Sequence, residues 1–140
     1  MLAVDTNVLV RVLVDDPGAP KQCAAARQLA RDSGAIYVSQ IVQVETVWVL
    51  ESAYRFDREA VTDALSELAR NDAFVLQRHG VFTEALHEMS IGAADFSDCL
   101  ILTEARAENA ELATFDRKLG KLSGTKLVLA ITEHGEAHQQ

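Results

Sequence analysis

Five acidic residues stand where carboxylates could do chemistry. Asp5 closes the short apolar run Leu2-Ala3-Val4, and Glu45 falls among Ile41, Val44 and Val47. Asp95 and Asp98 are three residues apart, and Asp116 follows the run Leu112-Ala113-Thr114 by two residues. Carboxylates gathered in one cleft repel each other unless a cation lies between them. Oxygen ligands suit the hard ions Mg²⁺ and Mn²⁺. Such an ion activates water and stabilises an in-line displacement at phosphorus. Each acid also has a plain structural use. Asp5 suits a turn or a helix cap. Glu45 suits a solvated helix face, although its apolar neighbours argue against a plain exposed one. Asp95 and Asp98 have the spacing of an N-cap and its N3 acid. Asp116 is placed to cap a short helix over Arg117 to Leu119. Taken singly, the structural use suffices for each; taken together, it requires a coincidence of positions.

The elements that must position these acids follow from pattern. Leu2-Ala3-Val4, Ile36-Tyr37-Val38, Phe74-Val75-Leu76, Leu112-Ala113-Thr114 and Leu127-Val128-Leu129 are short strand candidates. Between them lie helical stretches. Residues 20–32 are rich in Ala, Gln and Arg. Ser39 is placed to cap a helix with Ile41, Val44, Trp48 and Val47 on one face. Asp57 is placed to cap another, with Val61, Ala64, Leu65 and Leu68 at helical spacing. Phe82, Ala85, Leu86 and Met89 form a stripe ended by Gly92, and residues 96–107 make a further helix. Val8 to Val14 fits either a strand or a helix. Strands alternating with helices predict an α/β fold with a mostly parallel sheet. Ligands bind such sheets beyond the carboxyl ends of the strands, which places a site near Asp5 and near Thr114 to Asp116.

The 140 residues fit one domain over 1–130, followed by a polar C-terminal tail over 131–140. Hydrophobic residues make up 49% and charged residues 24%, which excludes a generally disordered chain. The longest stretch without a charge, Ser33 to Val44, has 12 residues, too few to cross a membrane. The N-terminus lacks the basic start of an export signal. Cys23 and Cys99 therefore read as reduced core thiols of a cytoplasmic protein. The net charge of −8 argues against a general nucleic-acid coat protein. It does not argue against an enzyme acting on RNA, because carboxylates around a divalent ion are partly neutralised. His134 and His138 have zinc-ligand spacing, but Gly135 stands where a zinc protease needs Glu, so they read as tail residues.

The strings Val4-Asp5-Thr6-Asn7-Val8-Leu9, Glu45, Ala94-Asp95-Phe96-Ser97-Asp98-Cys99-Leu100-Ile101 and Thr114-Phe115-Asp116-Arg117 resemble the PIN domain, and in particular the VapC-type ribonuclease toxins. The resemblance runs from residue 2 to about 129. It implies a three-layer α/β/α sandwich with a parallel sheet, and it makes Val8 to Val14 a helix. It also implies a Mg²⁺- or Mn²⁺-dependent endoribonuclease that cuts structured RNA, tRNA or rRNA, with metal-activated water. By motif position Asp5, Glu45, Asp98 and Asp116 match the four catalytic acids. Asp5, Asp98, Asp116 and the additional Asp95 match metal-binding positions. Asn7 and Thr114 match polar positions beside the site.

RNA binding also needs positive charge. Arg117, Lys118, Lys121 and Lys126 follow Asp116 closely, and Arg11 lies one helical turn beyond Asn7; these are candidates for phosphate contacts. Aromatic residues, at 6%, are too few for a broad stacking platform. The resemblance further implies a homodimer and a cognate antitoxin that brings a basic residue to the acids, which the −8 charge suits. Apolar residues around Trp48 to Tyr54 and Val61 to Leu68 are the expected interface. Two other readings compete. A phosphatase-like or phospho-acceptor domain also puts Asp at the end of strand one, but the phosphatase type wants a second Asp where Asn7 stands. A silent PIN-like module binding RNA or protein would have no need of all four acids.

Overall fold

The computed structural model describes residues 1–131 and 137–138. They form two compact units, Met1–Gly80 and Val81–Gln140.

The first unit begins with β1 (Leu2–Ala3) and α1 (Thr6–Leu13). Asp5 ends the extended segment and caps the helix, its carboxylate accepting the Val8 N–H at 3.0 Å. The stretch that fitted strand or helix is therefore helical, with Leu9 and Val10 buried. Helix α2 (Pro20–Asp32) starts with proline at its first turn, where no amide partner is lost, and ends before Gly34, whose φ is +74°. Next come β2 (Ile36–Val38), α3 (Gln40–Ser52), α4 (Arg58–Arg70) and β3 (Phe74–Leu76). Ser39 and Asp57 cap α3 and α4 as their positions predict. The three strands pair in parallel in the order β1-β2-β3, with Leu2 opposite Ile36 and Ile36 opposite Phe74.

Two packing expectations are corrected here. The α3 face that packs inward is Val42, Gln43, Thr46, Val47 and Leu50, whereas Ile41 and Trp48 are exposed. Apolar residues surround this helix, so spacing alone does not select a face. Two polar residues lie on the inward face, and Gln43 has a clear reason: its amide donates to the carbonyls of Val38 and Gln77 at the ends of β2 and β3. The second correction concerns α4. Val61, Leu65 and Leu68 are at most 1% exposed, so they fill the core of this unit and are not interface residues.

The second unit contains most of α5 (His79–Ile91), followed by α6 (Phe96–Ala107), β4 (Leu112–Thr114), a single 3₁₀ turn at Leu119–Lys121, and β5 (Thr125–Leu127). Phe82 of α5 and Phe96 of α6 meet edge to face with ring centres 5.5 Å apart. Arg106 of α6 pairs with Glu84 and Glu88 of α5 and donates to the Ser123 carbonyl. Beside it, Gly124 has a φ of +89°, and a Cβ there would stand 3.3 Å from Arg106 Nε. β4 and β5 are parallel, with Thr114 opposite Leu127. The fifth strand thus lies two residues earlier than its apolar run suggested, because its ladder partner β4 ends at Thr114. β6 (Ala130–Ile131) pairs antiparallel with β7 (Ala137–His138), so part of the expected tail is backbone-paired. The rest of that tail, His134 included, lies outside the described residues.

Each unit alternates helices with parallel strands, and the fold class is α/β as expected. Both cysteines are buried thiols: Cys23 Sγ faces the Val14 carbonyl at 3.5 Å, and Cys99 Sγ the Ala94 carbonyl at 3.8 Å.

Candidate metal centre

In the first unit, Asp5 is exposed at the carboxyl end of β1. Its Oδ1 is used by the helix cap, and its Oδ2 makes no protein hydrogen bond among the described residues. The next residue, Thr6, donates its hydroxyl to Glu45 Oε1 at 3.3 Å. The start of α1 is thereby tied to α3. The position of α3 is in turn set by the Gln43 bonds to β2 and β3, and by the Gln40 N–H donating to Gln77 Oε1 at 2.9 Å. So Glu45, although exposed, comes from a helix fixed over the carboxyl ends of two strands. Thr6 and Gln43 escaped the sequence reading. Thr6 lies inside the Asp5-Thr6-Asn7 string, which was its only signal. Gln43 looked like a surface residue between valines. Its Oε1 and the hydroxyl of Thr46 are buried without a hydrogen-bond partner among the described residues.

In the second unit, Asp95 occupies the N-cap position of α6, but its side chain makes no capping bond. The capping pair that would explain Asp95 and Asp98 structurally is therefore not formed. Asp98 lies in the first turn and is half-buried. Burial pushes its carboxyl above the ordinary carboxylate range, and the negative charges of Asp95 and Asp116 push it the same way. The charges of two carboxylates thus oppose that of Asp98. Asp116 is held by its own backbone turn. Its N–H donates to Thr114 Oγ1 at 3.0 Å, and its Oδ1 accepts from the amides of Lys118 and Leu119 at 2.8 and 3.0 Å. Oδ2 is left without a protein hydrogen bond among the described residues. Asp116 therefore caps its turn, and Thr114 fixes the turn that presents it.

Asn7 is exposed on α1. Lys118, Lys121 and Lys126 are exposed after Asp116, as is Arg117. Arg11 is placed differently. Its Nε donates to Gln22 Oε1 at 2.9 Å, and its Nη1 reaches Tyr54 Oη at 2.6 Å and Asp16 Oδ2 at 3.3 Å. Tyr54 completes the triangle by donating to Asp16 at 2.8 Å.

Among the described residues, no three His, Cys, Asp or Glu side chains form a ready cage for an ion. The donor chemistry nevertheless fits a hard cation. All candidates are carboxylates, Asp98 is destabilised as an anion by its neighbours, and Asp5 and Asp116 each keep one oxygen outside their local hydrogen bonds.

The family model of the PIN domain matches residues 2–124, and the chain belongs to the PIN domain family. That family's α/β sandwich is the fold class expected above. The chain is similar to the VapC ribonuclease of Aquifex aeolicus (strain VF5), with 25% identity over 127 residues, covering 87% of this chain and 92% of the relative. Both findings agree with the VapC-type resemblance carried by the acidic motifs.

Proposed function

We propose that this protein is a divalent-metal-dependent endoribonuclease acting as the toxin of a toxin–antitoxin pair. Family membership and similarity to a VapC ribonuclease support the ribonuclease class. The observation that carries the chemistry is the placement of Asp5 and Asp116: a cap and a turn fix each carboxylate through one oxygen and leave the other outside protein hydrogen bonds among the described residues. Residues 1–130 serve as one nuclease domain, since the family match runs through both units.

Asp5, Asp98, Asp116 and Asp95 hold the metal, Mg²⁺ or Mn²⁺. When bound, that ion polarises a phosphoryl oxygen and makes water nucleophilic at neutral pH. Glu45, held by Thr6, orients the attacking water or joins the ligands. Asp5 and Asp116 are prepositioned by their cap and turn bonds, so little side-chain freedom is lost when they bind. Asn7 and Thr114 are the supporting polar residues beside Asp5 and Asp116 respectively. Lys118, Lys121 and Arg117 contact RNA phosphates. The substrate is structured cellular RNA, of the tRNA or rRNA class.

The protein works in the cytoplasm as a homodimer, restrained by an antitoxin with a basic segment that the −8 charge attracts. Light scattering at micromolar concentration tests the dimer; a strict monomer contradicts it.

The activity is tested by incubating total cellular RNA with the purified protein in Mg²⁺, in Mn²⁺ and in chelator, then mapping new ends. Discrete, metal-dependent cuts support the reading and identify the RNA class. A folded, antitoxin-free protein that cuts nothing under any condition refutes it.

A further inference from the structure

We propose that Gln43 and Gln77 form a clamp that positions Glu45 for the reaction, by fixing the rotation of α3 over the sheet. This deepens the nuclease reading and rests on it. The clamp lies wholly within residues 1–80. Each glutamine uses its side chain on the backbone of the other's segment. Gln43 Nε2 donates to the Gln77 carbonyl at 3.0 Å and to the Val38 carbonyl at 3.3 Å. Gln77 Oε1 accepts the N–H of Gln40, the first residue of α3, at 2.9 Å. The Gln77 N–H also donates to the Val38 carbonyl, at 2.9 Å, so the strand ends that receive Gln43 are bonded to each other. Both acceptors of Gln43 are carbonyls, which fixes which end of its amide faces them.

Burial alone does not set this rotation. α3 carries Ile41, Val44 and Trp48 on one side, and Val42, Val47 and Leu50 on the other. Turning the helix exchanges one apolar set for another, and the hydrophobic effect has no direction of its own. Hydrogen bonds are directional, so fully buried Gln43 decides what packing does not. Stability is not what this residue serves best. Its Oε1 has no partner among the described residues, a cost that an apolar side chain of the same shape would not carry.

Glu45 stands two residues beyond Gln43, roughly 200° around the helix, and is exposed. Its own bond from Thr6, at 3.3 Å and at the surface, is long for O–H···O and too weak to hold the acid by itself. A side-chain tip lies roughly 5–6 Å from the helix axis, so a rotation of about 10° moves it by about 1 Å. A misplacement of that size costs up to about a hundredfold in rate. The two glutamines therefore act on turnover through Glu45, without touching the reacting atoms.

The test compares the full-length wild type, Gln43→Met, Gln77→Ala and, as a purely packing change in the same unit, Val61→Ala. Cleavage of an RNA spanning a site mapped with the wild type is measured per folded molecule. Residual dipolar couplings of the metal-free proteins report the orientation of α3 against β2 and β3. Gln43→Met should lower kcat about tenfold with KM within about twofold, while Val61→Ala keeps the wild-type kcat. The couplings should show α3 turned by roughly 10° in Gln43→Met, with the Thr6 and Glu45 signals shifted. Should Gln43→Met not fold, Gln77→Ala removes the Gln40 bond alone and should show the same pattern, with kcat lowered about threefold. Wild-type kcat in a folded variant of either glutamine, an unturned α3, or an equal kcat loss in Val61→Ala would each overturn the proposal. A wild type that cuts no RNA removes the nuclease reading instead, and the couplings alone then decide whether the pair holds Glu45 in place.

Discussion

Asp5 divides its two oxygens between two tasks: Oδ1 accepts the Val8 N–H that starts α1, and Oδ2 is left over. Asp116 divides its oxygens in the same way at its turn. This is why neither acid could be assigned from sequence as ligand or cap, since both descriptions hold at once. The two tasks separate by substitution. Asn caps a helix about as well as Asp, whereas Ala costs about 1 kcal/mol. Asp5→Asn should therefore keep the melting temperature and lose metal-dependent cleavage, while Asp5→Ala should lose both; thermal melts run beside a cleavage assay check this. Asp98 behaves in the opposite sense. Its charge is opposed by burial and by Asp95 and Asp116, so Asp98→Asn in chelator should raise the melting temperature by roughly 1–4 °C. Addition of Mg²⁺ should stabilise the wild type and not the variant. A drop in melting temperature for Asp98→Asn in chelator would mean that its charge is satisfied within the protein alone.

Elements with a single apolar face and a marked end were legible in the sequence. Residues 20–32 and 96–107 are helices over those spans, and Ser39 and Asp57 cap where their positions indicate. What was not legible depended on partners distant in the chain. The inward face of α3 is chosen by Gln43 bonding to β2 and β3, and the register of β5 is set by where β4 ends. The same holds for the candidate site: the acids were visible as residue types, but the Thr6–Glu45 bond was not. The Arg11–Asp16–Tyr54 tie is a further long-range feature, linking α1, the following loop and the residue just beyond α3. Tyr54→Phe should cost about 1 kcal/mol in denaturant unfolding. The bond from Tyr54, with the Gly18 amide and the Arg11 charge, holds the Asp16 carboxyl below its ordinary value of 3.8. A depressed carboxyl stabilises the fold above its unfolded pKa and loses that contribution as pH falls through its folded one. The stability gap between wild type and Asp16→Asn should therefore be open at pH 7 and close below pH ~4; a gap constant across that range would contradict the tie.

At the scale of the whole chain, the candidate acids are shared out: Asp5 and Glu45 belong to residues 1–80, and Asp95, Asp98 and Asp116 to residues 81–140. Each unit has its own core, around Leu9 and Leu65 in one and the Phe82–Phe96 pair in the other. Leu9→Ala should cost about 2–5 kcal/mol and Phe82→Ala about 3–5 kcal/mol. Both changes should lower cleavage only by lowering the folded fraction, measured as activity per folded molecule. The central claim is that these carboxylates bind a divalent ion, and the most direct test is calorimetric titration of Mn²⁺ into the purified wild type and into fold-matched Asp98→Asn. Saturable binding by the wild type, weakened at least about tenfold in the variant, is the predicted result. Equal binding by both proteins, or no saturable binding by a well-folded wild type, would contradict it.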